Sequence, residues 1–233
     1  MSEAMASESS VGDIGRSIKD VGMLDLRYAK SAEDLAEISS ISDVGVILIS
    51  EDLIGALGRI DIKDVGTIVP IPTNGKVNCM TGQTRLTGEA LASGDPETIL
   101  VLVGQTFITT PVTSVGFKEI RVCGQLFAVR GSEIALTAKI SHLTGQNFFL
   151  PADHRIVMGE ENLGVEFLEL LPAGTAFVIM GKLYVGEDVP KPLLLEKVQE
   201  IVLMGEILAP AHLLASLQMI TKEKMGEIKQ RDA

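Results

Sequence analysis

Residues 99–128, ILVLVGQTFITTPVTSVGFKEIRVCGQLFA, contain one pattern twice: an apolar run, then Gly-Gln, then a phenylalanine two residues after the glutamine. The Gly-Gln pair occurs four times in the chain, at spacings of 22, 20 and 21 residues. Repetition at a fixed period near twenty residues is typical of solenoid proteins, in which each repeat forms one turn of a coil. The four pairs are Gly82-Gln83, Gly104-Gln105, Gly124-Gln125 and Gly145-Gln146, and weaker copies follow at Gly181-Lys182 and Gly205-Glu206.

Two columns of side chains follow if the repeats stack as neighbouring strands about 4.8 Å apart. The phenylalanines would stack on one another, either inside the core or as an exposed platform for a sugar or a peptide. The glutamine amides would either form a hydrogen-bonded ladder along the stack or point to water. These columns are the candidate binding residues: Gln83, Gln105, Gln125, Gln146, Phe107, Phe127 and Phe148.

A second phrase, Ile-x-Asp-Val-Gly, occurs at residues 18–22, 41–45 and 62–66, at spacings of 23 and 21 residues. An extended apolar segment follows each copy. The intervening segments 31–38 and 50–57 begin with serine and carry acidic residues in the first turn, which favours short helices. Over residues 18–71 this alternation of strand and helix resembles the leucine-rich-repeat style of α/β solenoid, without the buried Asn or Cys ladder of that family.

From residue 73 onward the segments are rich in Val, Ile, Thr and Phe, and their apolar runs are nearly continuous. Such runs are typical of parallel sheets covered on both faces. We therefore predict a β-rich solenoid, a parallel β-helix-like stack with a period of about 21 residues, short helices on some turns and a C-terminal capping helix.

The domain organisation predicted from these patterns has three parts. Residues 1–13 are predicted to be a disordered tail. Residues 14–209 form a single solenoid domain, with α/β turns over 14–72 and mainly β turns over 73–209. Because Gly145 and Gly181 are 36 residues apart, we expect an insertion near residues 150–165. Residues 210–233 are predicted to be an amphipathic helix and a charged tail, the helix covering the last turn of the stack.

Composition limits the possible partners. A net charge of −11 and a pI near 4.8 argue against binding to nucleic acid, which requires a basic surface, and against an anionic membrane. The first residues do not resemble a secretory leader, and no apolar run approaches the ~20 residues of a membrane helix, so we predict a cytoplasmic protein. Cys79 and Cys123 lie in strand-like runs and are interpreted as buried thiols rather than a disulfide or metal site.

Asp153, His154 and Arg155 form the only cluster that suggests catalysis. Adjacent residues rarely make a working acid/base pair, so a solvated loop is the main interpretation and a catalytic or ligand-binding role the alternative. No phosphate-binding loop, dinucleotide fingerprint or nucleophile elbow is present, and the three histidines have no metal-ligand spacing. We therefore expect no cofactor, no metal and no enzymatic activity.

A regular acidic stack without a converging polar site suits assembly better than turnover. We expect a structural or scaffolding protein that associates with copies of itself, or with another protein, through solenoid edges or faces. In this respect the chain resembles the bactofilin class of polymer-forming β-solenoids. The alternatives are a repeat-type module that binds a protein or glycan along one face and, third, an enzyme that uses residues 150–165 and brings an acid to His154.

Overall fold

The computed structural model describes residues 15–231. The chain divides into two compact units, Met1–Phe149 and Leu150–Ala233. Both units consist of parallel strands joined by short helices, so the predicted β-rich parallel fold is confirmed at this level. The sequence predicts one domain over residues 14–209, whereas the structure divides after Phe149. The tail predicted over residues 1–13 lies outside the described residues.

The first sheet of the first unit has three strands in the order β1-β2-β3. Two 3-10 helices, the first with one buried leucine and the second with two, connect these strands where the sequence predicts short helices. Neighbouring strands are parallel, and their register places Val21 beside Val44 and Val44 beside Val65. The elements are β1 Arg16–Asp25, η1 Glu33–Leu35, β2 Ile38–Ser50, η2 Glu51–Arg59 and β3 Asp61–Ile71.

The Ile-x-Asp-Val-Gly phrase explains a shared irregularity of these three strands. The aspartates Asp20, Asp43 and Asp64 have positive φ angles of 55°, 54° and 50°, a conformation that Asp tolerates better than most residues. The paired positions pass from the residue before each aspartate to the valine after it. The repeated phrase therefore specifies a local interruption at the same place in every strand.

The second sheet of the first unit has four strands in the order β4-β5-β6-β7, and the β4–β5 and β5–β6 pairs are parallel. Two short α-helices connect its strands. The glycines of the Gly-Gln pairs lie opposite one another in the register. The elements are β4 Lys76–Leu86, α1 Gly88–Ala92, β5 Thr98–Ile108, β6 Glu119–Val129, α2 Glu133–Thr137 and β7 Ile140–Leu150.

Three hydrophobic clusters form the core of the first unit. One joins the inner face of the first sheet to η1 and η2. Another joins one face of the second sheet to α1, α2 and the loop that contains Val112 and Phe117. The third lies between the two sheets and includes Val46 and Val69 from the first and Val101 from the second. Both faces of β5 and β6 are therefore buried, which explains their continuous apolar sequences.

The second unit contains two four-stranded parallel sheets, in the orders β8-β10-β12-β14 and β9-β11-β13-β15. One hydrophobic cluster joins both sheets to the helices. The strands are β8 His154–Val157, β9 Glu160–Leu163, β10 Thr175–Ile179, β11 Lys182–Val185, β12 Val198–Leu203, β13 Glu206–Ala209, β14 Thr221–Lys224 and β15 Glu227–Gln230. The helices are α3 Val165–Leu170, α4 Lys191–Lys197, η3 Ala211–Leu213 and α5 Leu214–Ile220.

The segment predicted as an insertion near residues 150–165 contains β8 and β9, which pair with β10 and β11. It therefore continues both sheets rather than leaving them as a loop. In the sequence, each repeat of the second unit is marked by a Met-Gly pair that precedes the second strand of that repeat. A Cβ on each later glycine would overlap the carbonyl oxygen of the preceding one, so the four glycines form a close-packed column. The pairs are Met158-Gly159, Met180-Gly181, Met204-Gly205 and Met225-Gly226.

The C-terminal prediction differs from the structure in a similar way. The predicted helix at residues 210–220 is present as η3 and α5, and it buries Leu213, Leu217 and Ile220. The following residues form β14 and β15 rather than a charged tail, and these strands pair with β12 and β13. The helix is therefore a connection between two strands and does not end the unit.

Candidate functional site

The glycine of each Gly-Gln pair has a backbone conformation that favours glycine. Gly82, Gly104, Gly124 and Gly145 have φ angles of 83°, 103°, 139° and 134°. A Cβ on any of the last three would overlap the carbonyl oxygen of the glycine before it in the column, while a Cβ on Gly82 would have nothing within 4 Å. These glycines therefore allow the strands to approach closely.

The glutamines form an amide ladder. Gln83 donates from Nε2 to Oε1 of Gln105 at 3.1 Å, and Gln105 donates to Oε1 of Gln125 at 3.0 Å. Gln105 and Gln125 are half-buried, and Gln83 is exposed. Gln146 in β7 is also exposed. Of the two interpretations left open by the sequence, the structure shows the ladder for the first three glutamines.

The phenylalanine column is buried. The ring centroids of Phe107 and Phe127 are 4.7 Å apart, those of Phe127 and Phe148 are 5.0 Å apart, and neighbouring rings are nearly parallel. The three side chains are only 4%, 1% and 5% exposed. At the β4 end, Arg85 is paired with Phe107 and ends the column with a charged residue. The rings are therefore part of the interior and are not an exposed aromatic platform.

The cluster Asp153, His154 and Arg155 lies at the start of β8. His154 is half-buried, and its Nδ1 lies 2.7 Å from the carbonyl oxygen of Pro151. Because a carbonyl oxygen can only accept, Nδ1 must be the protonated donor in this bond. The guanidinium of Arg155 lies 5.2 Å from the ring centroid of Phe167, within cation–π distance. The three residues also line a groove of about 440 Å³ together with residues 172–175.

Within residues 15–231, no three or more His, Cys, Asp and Glu side chains are placed to hold a metal ion. His142 Nε2 lies 3.0 Å from Thr144 Oγ1, and His212 Nε2 lies 3.3 Å from the carbonyl oxygen of Val189. The orienting partner of His154 is a backbone carbonyl rather than a carboxylate. The histidines therefore take part in separate local hydrogen bonds and do not converge.

The two cysteines are free, Cys123 buried and Cys79 half-buried. Cys79 Sγ lies 3.1 Å from Met23 Sδ, between the two sheets of the first unit. Burial raises the pKa of the Cys79 thiol, and it raises the pKa of the Cys123 thiol to about 11. Both thiols are protonated at neutral pH, so they are poor nucleophiles and poor metal ligands.

The sequence reasoning missed a buried ion pair. Arg121 is 8% exposed and donates from Nε and Nη2 to Oε1 of Glu119 at 2.8 and 2.6 Å. Oε1 of Glu51 lies 3.9 Å from the same guanidinium. A lone arginine inside an apolar strand, two residues after a glutamate, is the available sequence signal. Glu119 therefore neutralises the charge of a guanidinium that lies inside the first unit.

The outer strands of the first sheet carry apolar residues at most positions paired with buried residues of β2, although β1 also places Arg16 beside Ile38 and Asp25 beside Leu48. Within the described residues, β1 and β3 each pair only with β2. The apolar cluster of this sheet extends to both outer strands, where its members are half-buried, while their partners in β2 are fully buried. Three columns share this pattern: Ile18–Ile41–Ile62, Val21–Val44–Val65 and Leu24–Ile47–Ile68.

The outer strands of the second unit are different. Glu161 in β9 is paired with Leu183 and continues a column of core residues, but it is exposed. At the opposite edge, Lys224 in β14 is paired with Leu203 and continues another core column. Charged residues at inward positions prevent a further strand from burying its apolar face there. Each sheet of the second unit therefore has one outer strand, β9 or β14, with a charged residue in line with a core column.

No helix within residues 15–231 is long and apolar enough to cross a membrane. Comparison with known proteins found no matching protein-family model, no matching curated protein and no matching solved structure.

Proposed function

We propose that the chain is a non-catalytic structural protein, and that it associates with copies of itself through the edges of its parallel sheets. Each sheet, with its short helices, is on this proposal a short stretch of β-solenoid. The observation that carries the proposal is that identical residues stack on one another along successive strands. Glycine lies on glycine, glutamine bonds to glutamine and phenylalanine stacks on phenylalanine along successive strands. Such regular stacks can extend from one molecule to the next.

The polar groups that the sequence singled out support a structural role. The amides of Gln83, Gln105 and Gln125 bond to one another, and His154 bonds to a backbone carbonyl. An enzyme that uses the residues near 150–165 would need an acid or a metal beside His154. A module that binds through the phenylalanine column would need those rings at the surface, where they do not lie. Self-association is also what the resemblance to the bactofilin class implies, and a cytoplasmic location remains a prediction of the sequence.

The test is sedimentation velocity of the full chain over a wide range of protein concentration, with negative-stain electron microscopy of the same samples. We expect the average mass to rise with concentration and ordered oligomers or filaments to be visible. The variant His154→Ala serves as a control and is expected to sediment as the unmodified chain does. A monomer at every concentration would contradict self-association and would move the function to binding another protein.

A further inference from the structure

We propose that the first unit binds a neutral sugar in a crevice at the carboxyl ends of β1, β2 and β3. The crevice has a volume of about 630 Å³, within the range of about 300–1,000 Å³ that is usual for small-molecule sites. The space outside the carboxyl ends of parallel strands is also where ligands bind in many α/β proteins. The inference goes beyond the proposed function, because sugar binding neither requires nor prevents self-association.

Three segments of the chain, one from the end of each strand, form the crevice. Residues 26–30 follow β1, residues 50–53 begin at the last residue of β2, and residues 72–75 follow β3. Because β2 lies between β1 and β3, the two outer segments stand on either side of the end of β2. Each outer segment is a turn closed by a backbone hydrogen bond, of 3.2 Å after β1 and 2.8 Å after β3. The walls of the crevice are therefore held in place by the backbone.

An apolar floor and an aromatic ring line the crevice. The floor consists of Ala29, Leu53 and Ile71, which are 4%, 8% and 1% exposed. Tyr28 also lines the crevice and is 61% exposed, and among residues 15–231 it is the one aromatic residue that is mostly exposed. The face of an aromatic ring is electron-rich and attracts the weakly positive C–H groups of a sugar ring. The lining is therefore suited to the apolar face of a sugar.

Polar side chains from all three segments complete the lining. Thr73 Oγ1 lies 3.1 Å from Ser50 Oγ and donates a hydrogen bond to the Asp52 carboxylate. The side chains of Lys30 and Asn74 make no hydrogen bond to any residue that the structure describes. The Lys30 ammonium only donates and the Asp52 carboxylate only accepts, whereas a sugar hydroxyl does both. A ligand with several hydroxyl groups can therefore satisfy donors and acceptors together.

The charges of the crevice favour a neutral ligand. The guanidinium of Arg27 donates to the Asp25 carboxylate from Nε at 2.9 Å and from Nη2 at 2.6 Å, so this pair is neutral as a unit. Lys30 and Asp52 are the remaining charged residues of the lining, and they are opposite in sign. A phosphate group would require an excess of cations. Within residues 15–231, no group of three or more His, Cys, Asp and Glu side chains is placed to hold a metal ion.

The experiment is saturation-transfer-difference NMR of the full chain with free glucose, galactose, mannose, N-acetylglucosamine, maltose and cellobiose. Because the chain contains no tryptophan and 2 tyrosines, a titration followed by tyrosine fluorescence gives the affinity. Retention of the same chain on immobilised amylose, cellulose and chitin is measured in parallel. We expect binding of at least one of these sugars. Binding in solution identifies a free sugar as the ligand, whereas retention without binding of free sugars identifies a segment of a polysaccharide.

Four variants locate the site. Tyr28→Ala removes the ring, and Asp52→Asn removes the charge while it leaves an acceptor for Thr73, so each should weaken binding by about tenfold or more. Tyr28→Phe keeps the ring and should retain the affinity within about threefold. The control Ile54→Ala changes an exposed residue of η2 that does not line the crevice, and it should leave binding unchanged. Circular dichroism of each variant checks that it is folded.

Two results would overturn the proposal. One is the absence of both saturation transfer and retention with all of these sugars. The other is binding that either Tyr28→Ala or Asp52→Asn leaves unchanged, because the sugar would then be held elsewhere. The outcome is separate from that of the sedimentation experiment, since Tyr28→Ala should sediment as the unmodified chain does.

Discussion

Replacing Gly124 by alanine tests whether the strands of the second sheet really approach as closely as the structure shows. Gly124 has a φ of 139°, and a Cβ there would overlap the backbone carbonyl oxygen of Gly104. A backbone oxygen inside a sheet cannot rotate away as the end of a flexible side chain can. The substitution therefore forces β5 and β6 apart or changes the conformation of residue 124.

Two contributions set the expected magnitude. A residue with a Cβ in the left-handed region costs roughly 1–2 kcal/mol. Overpacking of a well-packed interior costs roughly a further 1–3 kcal/mol. We therefore expect Gly124→Ala to lower the free energy of unfolding of the first unit by about 2–5 kcal/mol, a large fraction of the stability of a typical domain.

Two other glycines provide matched controls. Gly82 has a positive φ of 83°, but a Cβ there would have nothing within 4 Å, so Gly82→Ala bears only the conformational strain. Part of that strain is offset by the lower entropy of the unfolded chain, which leaves a net loss of about 1 kcal/mol. Gly22 has neither a positive φ nor a close contact, so Gly22→Ala should be neutral or stabilising by up to about 1 kcal/mol.

Urea denaturation followed by circular dichroism gives the change in stability, and hydrogen exchange with mass spectrometry locates it. Because the chain has two compact units, protection of peptides from residues 99–108 and 119–129 identifies the first unit. The expected order of destabilisation is Gly124→Ala, then Gly82→Ala, then Gly22→Ala. If Gly124→Ala costs no more than Gly82→Ala, the close approach of the strands is refuted.

Three further predictions concern side chains of the first unit, each measured by urea denaturation. Gln105→Ala removes one donated and one accepted hydrogen bond and should lower the free energy of unfolding by about 1–2 kcal/mol. Gln146→Ala should change stability by less than about 0.5 kcal/mol. Equal effects of the two substitutions would argue against the ladder. Glu119→Gln leaves the buried guanidinium of Arg121 without its nearest carboxylate and should lower the free energy of unfolding by about 3 kcal/mol. Arg121→Met removes the buried charge itself and should cost less. If Arg121→Met costs more than Glu119→Gln, the pair is not buried. Burial raises the pKa of the Cys123 thiol from 9.0 to about 11, so the stability that the protonated thiol contributes is complete below about pH 9 and is lost as the pH rises towards 11. The Cys123→Ala variant should therefore lose less stability between about pH 9 and 11 than the unmodified chain. If both lose the same amount, the thiol is exposed to water.

The sequence predicted the fold best where the backbone itself demands a residue type. Gly104 and Gly124 must be glycine because a Cβ would overlap the neighbouring strand. The number of residues from one glycine to the next therefore gives the length of one repeat. The same kind of column in the second unit was only partly recognised. There the glycine is preceded by methionine and followed by Glu or Lys, so no glutamine or aromatic residue marked Gly159 and Gly226.

The boundary between the units and the final strands were harder to predict. Gly145 and Gly159 are only 14 residues apart, which is less than one period of about 21 residues. A search at the regular period therefore does not find the first glycine of the second unit. At the C-terminus, Lys224 lies at an inward position, so β14 has no alternation of apolar and polar residues. The residue types of β14 favour an irregular, solvent-exposed segment, but pairing with β12 makes it a strand.

The candidate site was predicted from residue types alone, without knowledge of their partners. Asp153, His154 and Arg155 are chemically suggestive in sequence, but their partners are a backbone carbonyl and an aromatic ring. The edges of the first sheet depend instead on which inward positions lack a neighbour.

The charged residues Glu161 in β9 and Lys224 in β14 have a consequence for how the gene of this unit can change. A strand added beyond β9 or β14 would lie against a charge, which disfavours lengthening at those two strands. Duplication of one whole repeat from the middle, such as residues 182–205, would leave both edges as they are and place glycine on glycine again. Variation in the length of this unit is therefore expected in whole repeats, inserted internally.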